Sequence, residues 1–185
     1  DGSVSIAYSS IANNSATETG GGVYAKGSLS LISVEMANNS SGSHGGGAHV
    51  DTGNATINSS TFTGNTAING NGGGLNVNNK LSISHSTFQN NTAILGGGVN
   101  QWNNNATEWV SIEYATFHSN KAKYQGGGLN VAHGAETYIA NSQFTDNIAD
   151  SENNTNSYGG GVYFSSNTPG TSISILDSIF YHNLT

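Results

Sequence analysis

Apolar residues in this chain fall into columns once it is aligned on a recurring apolar-x-x-Asn signature. That signature reads Ile11…Asn14, Met36…Asn39, Phe62…Asn65, Phe88…Asn91, Phe117…Asn120, Phe144…Asn147 and Phe180…Asn183. Five residues before its first position stand Ile6, Leu31, Ile57, Ile83, Ile112, Ile139 and Ile175. Two residues before it stand only small side chains: Ser9, Val34, Ser60, Ser86, Ala115, Ser142 and Ser178. Within each repeat, apolar and polar residues alternate, as in Leu81-Ser82-Ile83-Ser84, which is the period of a strand and not of a helix. The pattern predicts short strands joined by tight corners, repeated along the chain.

A second signature alternates with the first. Gly20-Gly21-Gly22-Val23 returns at Gly45, Gly72, Gly96, Gly126 and Gly159, with successive copies 25, 27, 24, 30 and 33 residues apart. A fixed supersecondary unit at this period is the mark of a solenoid. The glycines predict a corner where the backbone packs closely or takes positive φ. A strand follows each, with Val23/Ala25, Leu75/Val77 and Leu129/Val131 directed inward. The asparagines at Asn14, Asn39, Asn65, Asn91, Asn120, Asn147 and Asn183 are expected to stack as an internal ladder, each amide bonding the next rung. The fold expected is all-β, a single unit over residues 1–185 of about seven rungs.

Composition narrows the function classes. Only 34% of residues are apolar, which suits a narrow rod with a thin core better than a thick layered domain. The formal net charge is −7, with four lysines as the only Lys or Arg residues. Phosphate recognition depends on clustered cations, so no nucleic-acid partner is expected. There is no cysteine for disulfides or thiolate metal sites, and no apolar run long enough for membrane insertion of this segment.

With both signatures in place, the chain resembles the polymorphic outer membrane protein repeat of chlamydial autotransporter adhesins. In that family Gly-Gly-Ala plus Ile, Leu or Val alternates with Phe-x-x-Asn. Here Phe-x-x-Asn is kept in five of seven rungs, and a third glycine replaces the alanine throughout. The resemblance implies a right-handed parallel β-helix in the pectin-lyase-like group. It also implies an extracellular or cell-surface location, and adhesion or architecture before catalysis.

Candidate chemistry is sparse. Glu35, Glu113, Asp146 and Asp177 share no aligned position, so the paired carboxylates of a glycosidase are not apparent, and no catalytic residue is expected. A polysaccharide lyase or hydrolase is the weaker alternative. No cofactor is expected, Asp146, Asp150 and Glu152 forming only a weak oxygen set for Ca²⁺. The six histidines sit at different places in their repeats, which predicts surface positions and no pair.

Recognition is expected where the repeat is interrupted, at 101–109 and 149–158, with Trp102, Trp109 and Tyr158 as aromatic anchors for a host or glycan ligand. Glycosylation sequons at Asn13, Asn38, Asn54, Asn58, Asn90, Asn105 and Asn153 are candidates in a eukaryotic source, checked by mass spectrometry. Asn39 and Asn183 also head sequons but occupy ladder positions and should stay bare. Residue 1 starts mid-rung and residue 185 follows a corner, which predicts either flanking repeats or neighbouring copies stacked end to end as a filament.

Overall fold

The computed structural model describes residues 2–102, 108–133, 135–150, 156–166 and 169–185. The described residues contain strands and turns but no helix. All strand pairing between named strands is parallel, and the strands form four sheets that wind round one interior.

Sheet A holds Val4–Ala7, Leu29–Ile32, Ala55–Asn58, Leu81–Ser84, Trp109–Glu113, Glu136–Ala140 and Ile173–Leu176. Sheet B holds Ser10–Ala12, Glu35–Ala37, Thr61–Thr63, Thr87–Gln89, Thr116–His118, Gln143–Thr145 and Ile179–Tyr181. Sheet C has six strands: Ser15–Ala16, Ser40–Ser41, Thr66–Ala67, Thr92–Leu95, Lys121–Gln125 and Ile148–Ala149. Sheet D has six: Val23–Ala25, Ala48–Val50, Leu75–Val77, Val99–Trp102, Leu129–Ala132 and Val162–Phe164. Each pass of the chain visits A, B, C and D in turn, so this is a parallel β-solenoid.

In-register stacking is what turns sequence columns into a core. Leu31, Ile57, Ile83, Ile112 and Ile139 are successive partners in sheet A, each at most 1% exposed. Met36, Phe62, Phe88, Phe117, Phe144 and Phe180 are successive partners in sheet B. The phenylalanine rings stack face to face at 4.6, 5.1, 4.5 and 4.8 Å with planes within 12° of parallel. Those distances match the strand spacing, so offset stacking and backbone pairing do not compete. Burial of such a column stabilises by roughly 25 cal/mol per Å² of apolar surface removed from water.

Four corners bend each rung, and three of them regularly carry a positive φ. Between A and B, one residue takes positive φ: Ser33 (53°), Ser59 (49°), His85 (49°) and Tyr114 (52°) are examples. Between B and C another does so, at Asn13 (59°), Asn38 (53°), Asn90 (55°), Ser119 (52°) and Asp146 (55°). The third corner is glycine's. In the copy at 72–74, Gly72 has φ +69°, and a side chain on Gly73 would strike the backbone of Thr92 at 2.6 Å. On Gly74 it would lie 3.0 Å from Phe88 and 3.3 Å from the Asn91 amide. The two sequence signatures therefore pack against each other across the interior, and a Cβ on Gly74 would also meet the Gly98 carbonyl of the next rung at 2.6 Å, which leaves room for glycine alone.

The asparagine column lies inside sheet B's exit corner. Asn65 Oδ1 accepts from both the backbone N–H and the side-chain amide of Asn39 at 3.0 Å. Asn65 Nδ2 donates to Met36 O at 2.8 Å and to Asn91 Oδ1 at 3.0 Å. The same pattern runs from Asn14 through Asn39, Asn91, Asn120 and Asn147 to Asn183. A lesser spine occupies the small-residue column: Ser60 Oγ accepts from Val34 N at 3.0 Å and donates to Asn58 O at 2.8 Å. Ser86 and Ser142 accept in the same way from Ser60 N and Ala115 N.

Candidate functional site

Sheet D departs from strand alternation, and the departure makes a site. In its four central strands the inward residues are buried as their pattern requires, but the intervening outward ones are buried too. Asn76 is 3% exposed, and Asn100 and Asn130 are fully buried. They form a second ladder on the outer face: Asn100 Nδ2 donates to Asn76 Oδ1 at 2.7 Å, and Asn130 Nδ2 to Asn100 Oδ1 at 2.6 Å. The column continues at His49, whose Nδ1 lies 2.9 Å from Asn76 Nδ2, and then at Tyr24. An amide nitrogen can only donate, so His49 Nδ1 is the acceptor and the ring carries its proton on Nε2.

Walls rise on both sides of this floor. On one side, at the glycine corner, stand His44 and Asn71, joined by Asn71 N donating to His44 Nδ1 at 3.1 Å. That bond puts the His44 proton on Nε2 as well. On the other side, successive rungs supply Asp51, Asn78 and Trp102. Together they enclose a cleft of about 370 Å³ spanning three rungs. A larger hollow of about 540 Å³ is lined by Val162, Phe164, Ile173, Ile175 and Phe180. It is the apolar interior seen along the rod axis, so the polar cleft is the better candidate.

Electrostatics keep the cleft's imidazoles neutral. Burial pushes His49 down to about 4, helped by the neighbouring His44 and opposed by the Asp51 carboxylate. Burial alone lowers His44. The two rings stack with centroids 5.8 Å apart, and His49 stacks on Tyr24 at 5.7 Å. Tyr24 Oη donates to Asp51 Oδ2 at 3.2 Å. The expectation that the histidines are surface residues with no pair is corrected for His44 and His49, whereas His85 and His182 are exposed. Gly45, at φ +65° directly after His44, turns the chain so that the two rings, five positions apart, come together. A second grouping joins neighbouring rungs: His118 Nδ1 and His182 Nδ1 face the two oxygens of Asp146 at 3.5 and 3.6 Å. Among the described residues, no set of three or more His, Cys, Asp or Glu side chains is placed to hold a metal ion.

Residues 8–26, one pass from Ile11 and Asn14 through Gly20–Gly22, match the Chlamydia polymorphic membrane protein (Pmp) repeat. The chain carries a Pmp-type repeat in a parallel β-helix. No curated protein and no solved structure matches the chain. The same side-chain columns run in register through the remaining rungs, where the third glycine packs on Phe and Asn.

Asn13, Asn38 and Asn90 are exposed at the positive-φ corner, directly before ladder residues. Asn54 is exposed. Asn58 is half-buried, its amide donating to Ser84 Oγ at 2.9 Å. Asn105, Asn153 and Glu152 lie outside the described residues. Trp102 lines the cleft, with its ring 4.2 Å from that of His133 and tilted by 50°. Trp109, 42% exposed, starts a strand of sheet A, and Tyr158, 48% exposed, precedes Gly159 with its ring 6.0 Å from Tyr163. Of the three aromatic candidates, only Trp102 is among the cleft residues. Asp146 faces its two histidines, and Asp150 is exposed.

The outer Asn76–Asn100–Asn130 ladder is the feature that sequence reasoning missed. Its signal was present: Leu-Asn-Val, Val-Asn-Gln and Leu-Asn-Val follow three successive glycine triplets. An asparagine kept between two inward residues marks a face that is covered or used.

Proposed function

We propose that this chain is a non-catalytic structural and adhesive rod, part of an extracellular or cell-surface protein. The observation that carries the reading is the Pmp-type repeat built into an uninterrupted internal ladder. A ladder of that kind spends its polar groups on holding rungs in register, which makes a stiff spacer. The family's surface role supports placing the rod outside the cell. The acids support the non-catalytic part: Glu113 is in sheet A, Glu35 in sheet B, and Asp146 and Asp177 at two different corners.

The test is to display the chain on non-adherent bacteria and count their attachment to epithelial cells, with polygalacturonate digestion assayed in parallel. Attachment above the empty display scaffold, without new reducing or unsaturated ends, is the expected outcome. Release of saccharide products would overturn the non-catalytic reading, and background attachment would overturn the adhesive one.

A further inference from the structure

The cleft on sheet D has a chemistry the rod does not need. A spacer requires stacked columns, and the inner ladder already provides them. Yet around the outer ladder the side chains change from rung to rung, and five of them form a half-buried rim: His44, Asp51, Asn71, Asn78 and Trp102. The floor beneath is almost sealed, with His49 5% exposed and Asn76 3%. A ligand would therefore meet the rim, with the ladder holding the rim's supports still.

We propose that this cleft binds an uncharged sugar unit of a glycan. Four observations point to that class. The volume, about 370 Å³, lies at the small end of ligand clefts, roughly 300–1,000 Å³. The rim offers both senses of hydrogen bond: amides that donate and accept, an imidazole with Nε2–H to donate, and a carboxylate that only accepts. A sugar hydroxyl, which does both, pairs with any of them. Trp102 adds an aromatic surface for the apolar C–H face of a pyranose, and His133 packs against its ring. Finally, the lining includes no lysine, and the only ionised group on it is Asp51, since both imidazoles are neutral by tautomer geometry. Anionic sugars would be repelled by that carboxylate in a chain of net charge −7.

Pre-organisation strengthens the case. Rim residues sit on strands or immediately beside a corner, not on free loops, so little conformational freedom is lost when a ligand docks. The inference deepens the adhesive reading and rests on it for where the glycan is met, but the binding itself is a property of the isolated chain.

The experiment titrates the purified chain with methyl glycosides of neutral hexoses and N-acetylhexosamines and with their linear oligomers. Oligogalacturonate serves as the anionic control, and saturation-transfer NMR and calorimetry are the readouts. Binding of at least one neutral saccharide is expected, with oligogalacturonate weaker. Trp102→Ala and Asp51→Ala should each weaken binding about tenfold or more with the chain still folded, Asp51→Ala giving up only the exposed Tyr24 hydrogen bond. If Trp102→Ala unfolds, Asp51→Ala decides alone, because its carboxylate lies on the rim. No neutral ligand, binding equal in wild type and Asp51→Ala, or preference for the anionic control would each overturn the proposal. Loss of cell attachment with saccharide binding intact would instead count against the adhesive rod, leaving the cleft assignment standing.

Discussion

Two columns of asparagine amides run along this rod, and they are anchored differently. In the inner column each carbonyl oxygen takes a backbone N–H as well as a side-chain N–H from the rung before, and each amide nitrogen also reaches a backbone carbonyl. In the outer column the links between rungs run from side chain to side chain: Asn130 to Asn100, Asn100 to Asn76, and Asn76 to His49. An inner residue is thus part of the corner's own bonding, and replacing it would strand main-chain groups inside the rod. An outer residue can become histidine or tyrosine without disturbing the rung, as at His49, Tyr24 and Tyr163. Architecture is confined to the first column; variation, and the cleft with it, gathers on the second.

Matched substitutions in the two columns would test that contrast most sharply. Asn91→Leu removes the acceptor for two donors of Asn65 and the donor to Phe62 O, all of them buried. It should cost about 4 kcal/mol of unfolding free energy in urea. Asn100→Leu strands only the Asn130 amide and Asn76 Oδ1, and should cost about half as much. Equal losses would show that the columns are not distinct in kind.

Acid is the next probe, and its sign is fixed by His49. The imidazole is held neutral in the fold with a value of about 4, against 6.5 when exposed in the unfolded chain. The unfolded chain therefore takes up the proton first. The stability due to this group is complete above pH 6.5 and is lost as pH falls from there toward 4. By pH 5 the loss is about 2 kcal/mol, since each unit between the two values is worth about 1.4 kcal/mol. His44, also lowered, acts in the same direction. His49→Asn, which extends the outer ladder with its own residue type, should remove most of this slope in urea titrations between pH 7 and 5.

The smallest expected effect comes from Gln101, which occupies an inward position of sheet D between Val77 and Val131. It is fully buried, with Nε2 donating to Asn79 O at 3.1 Å and Oε1 without a partner among the described residues. Gln101→Val restores the column and removes the unpaired oxygen, so thermal unfolding should report a gain of about 1 kcal/mol. A loss would mean that Gln101 supports the cleft-bearing strand through its Asn79 bond.

Much of this was legible in the chain, for a physical reason. Parallel in-register stacking places the same side chain at the same point in every rung, so Ile57, Ile83 and Ile112, or Phe62, Phe88 and Phe117, read directly as a core. The corners between A and B were less visible. Their positive φ is taken by Ser, His, Tyr, Asn and Asp and carries no glycine signature, because surrounding cross-rung bonds such as Ser60 N to Ser86 Oγ fix the bend. The cleft was least legible of all. Alternation assigns His49, Asn76 and Asn100 to solvent, and only the stacking of three rungs brings their flanking residues together as walls, His44 and Asn71 on one side and Asp51 and Trp102 on the other. Trp102 was found because it interrupts a repeat; His44 and Asp51 were not, because each looks ordinary in its own rung.

The inner ladder has an electrical consequence. Every amide in it points the same way, oxygen toward lower-numbered rungs and nitrogen toward higher ones. Aligned amide dipoles add, as peptide units do along a helix. The three amides of the outer ladder point the opposite way and cancel only part of that sum. The rod is therefore polarised along its axis by groups that carry no formal charge, with its negative pole on the low-numbered side, and each added rung lengthens the dipole without touching the surface.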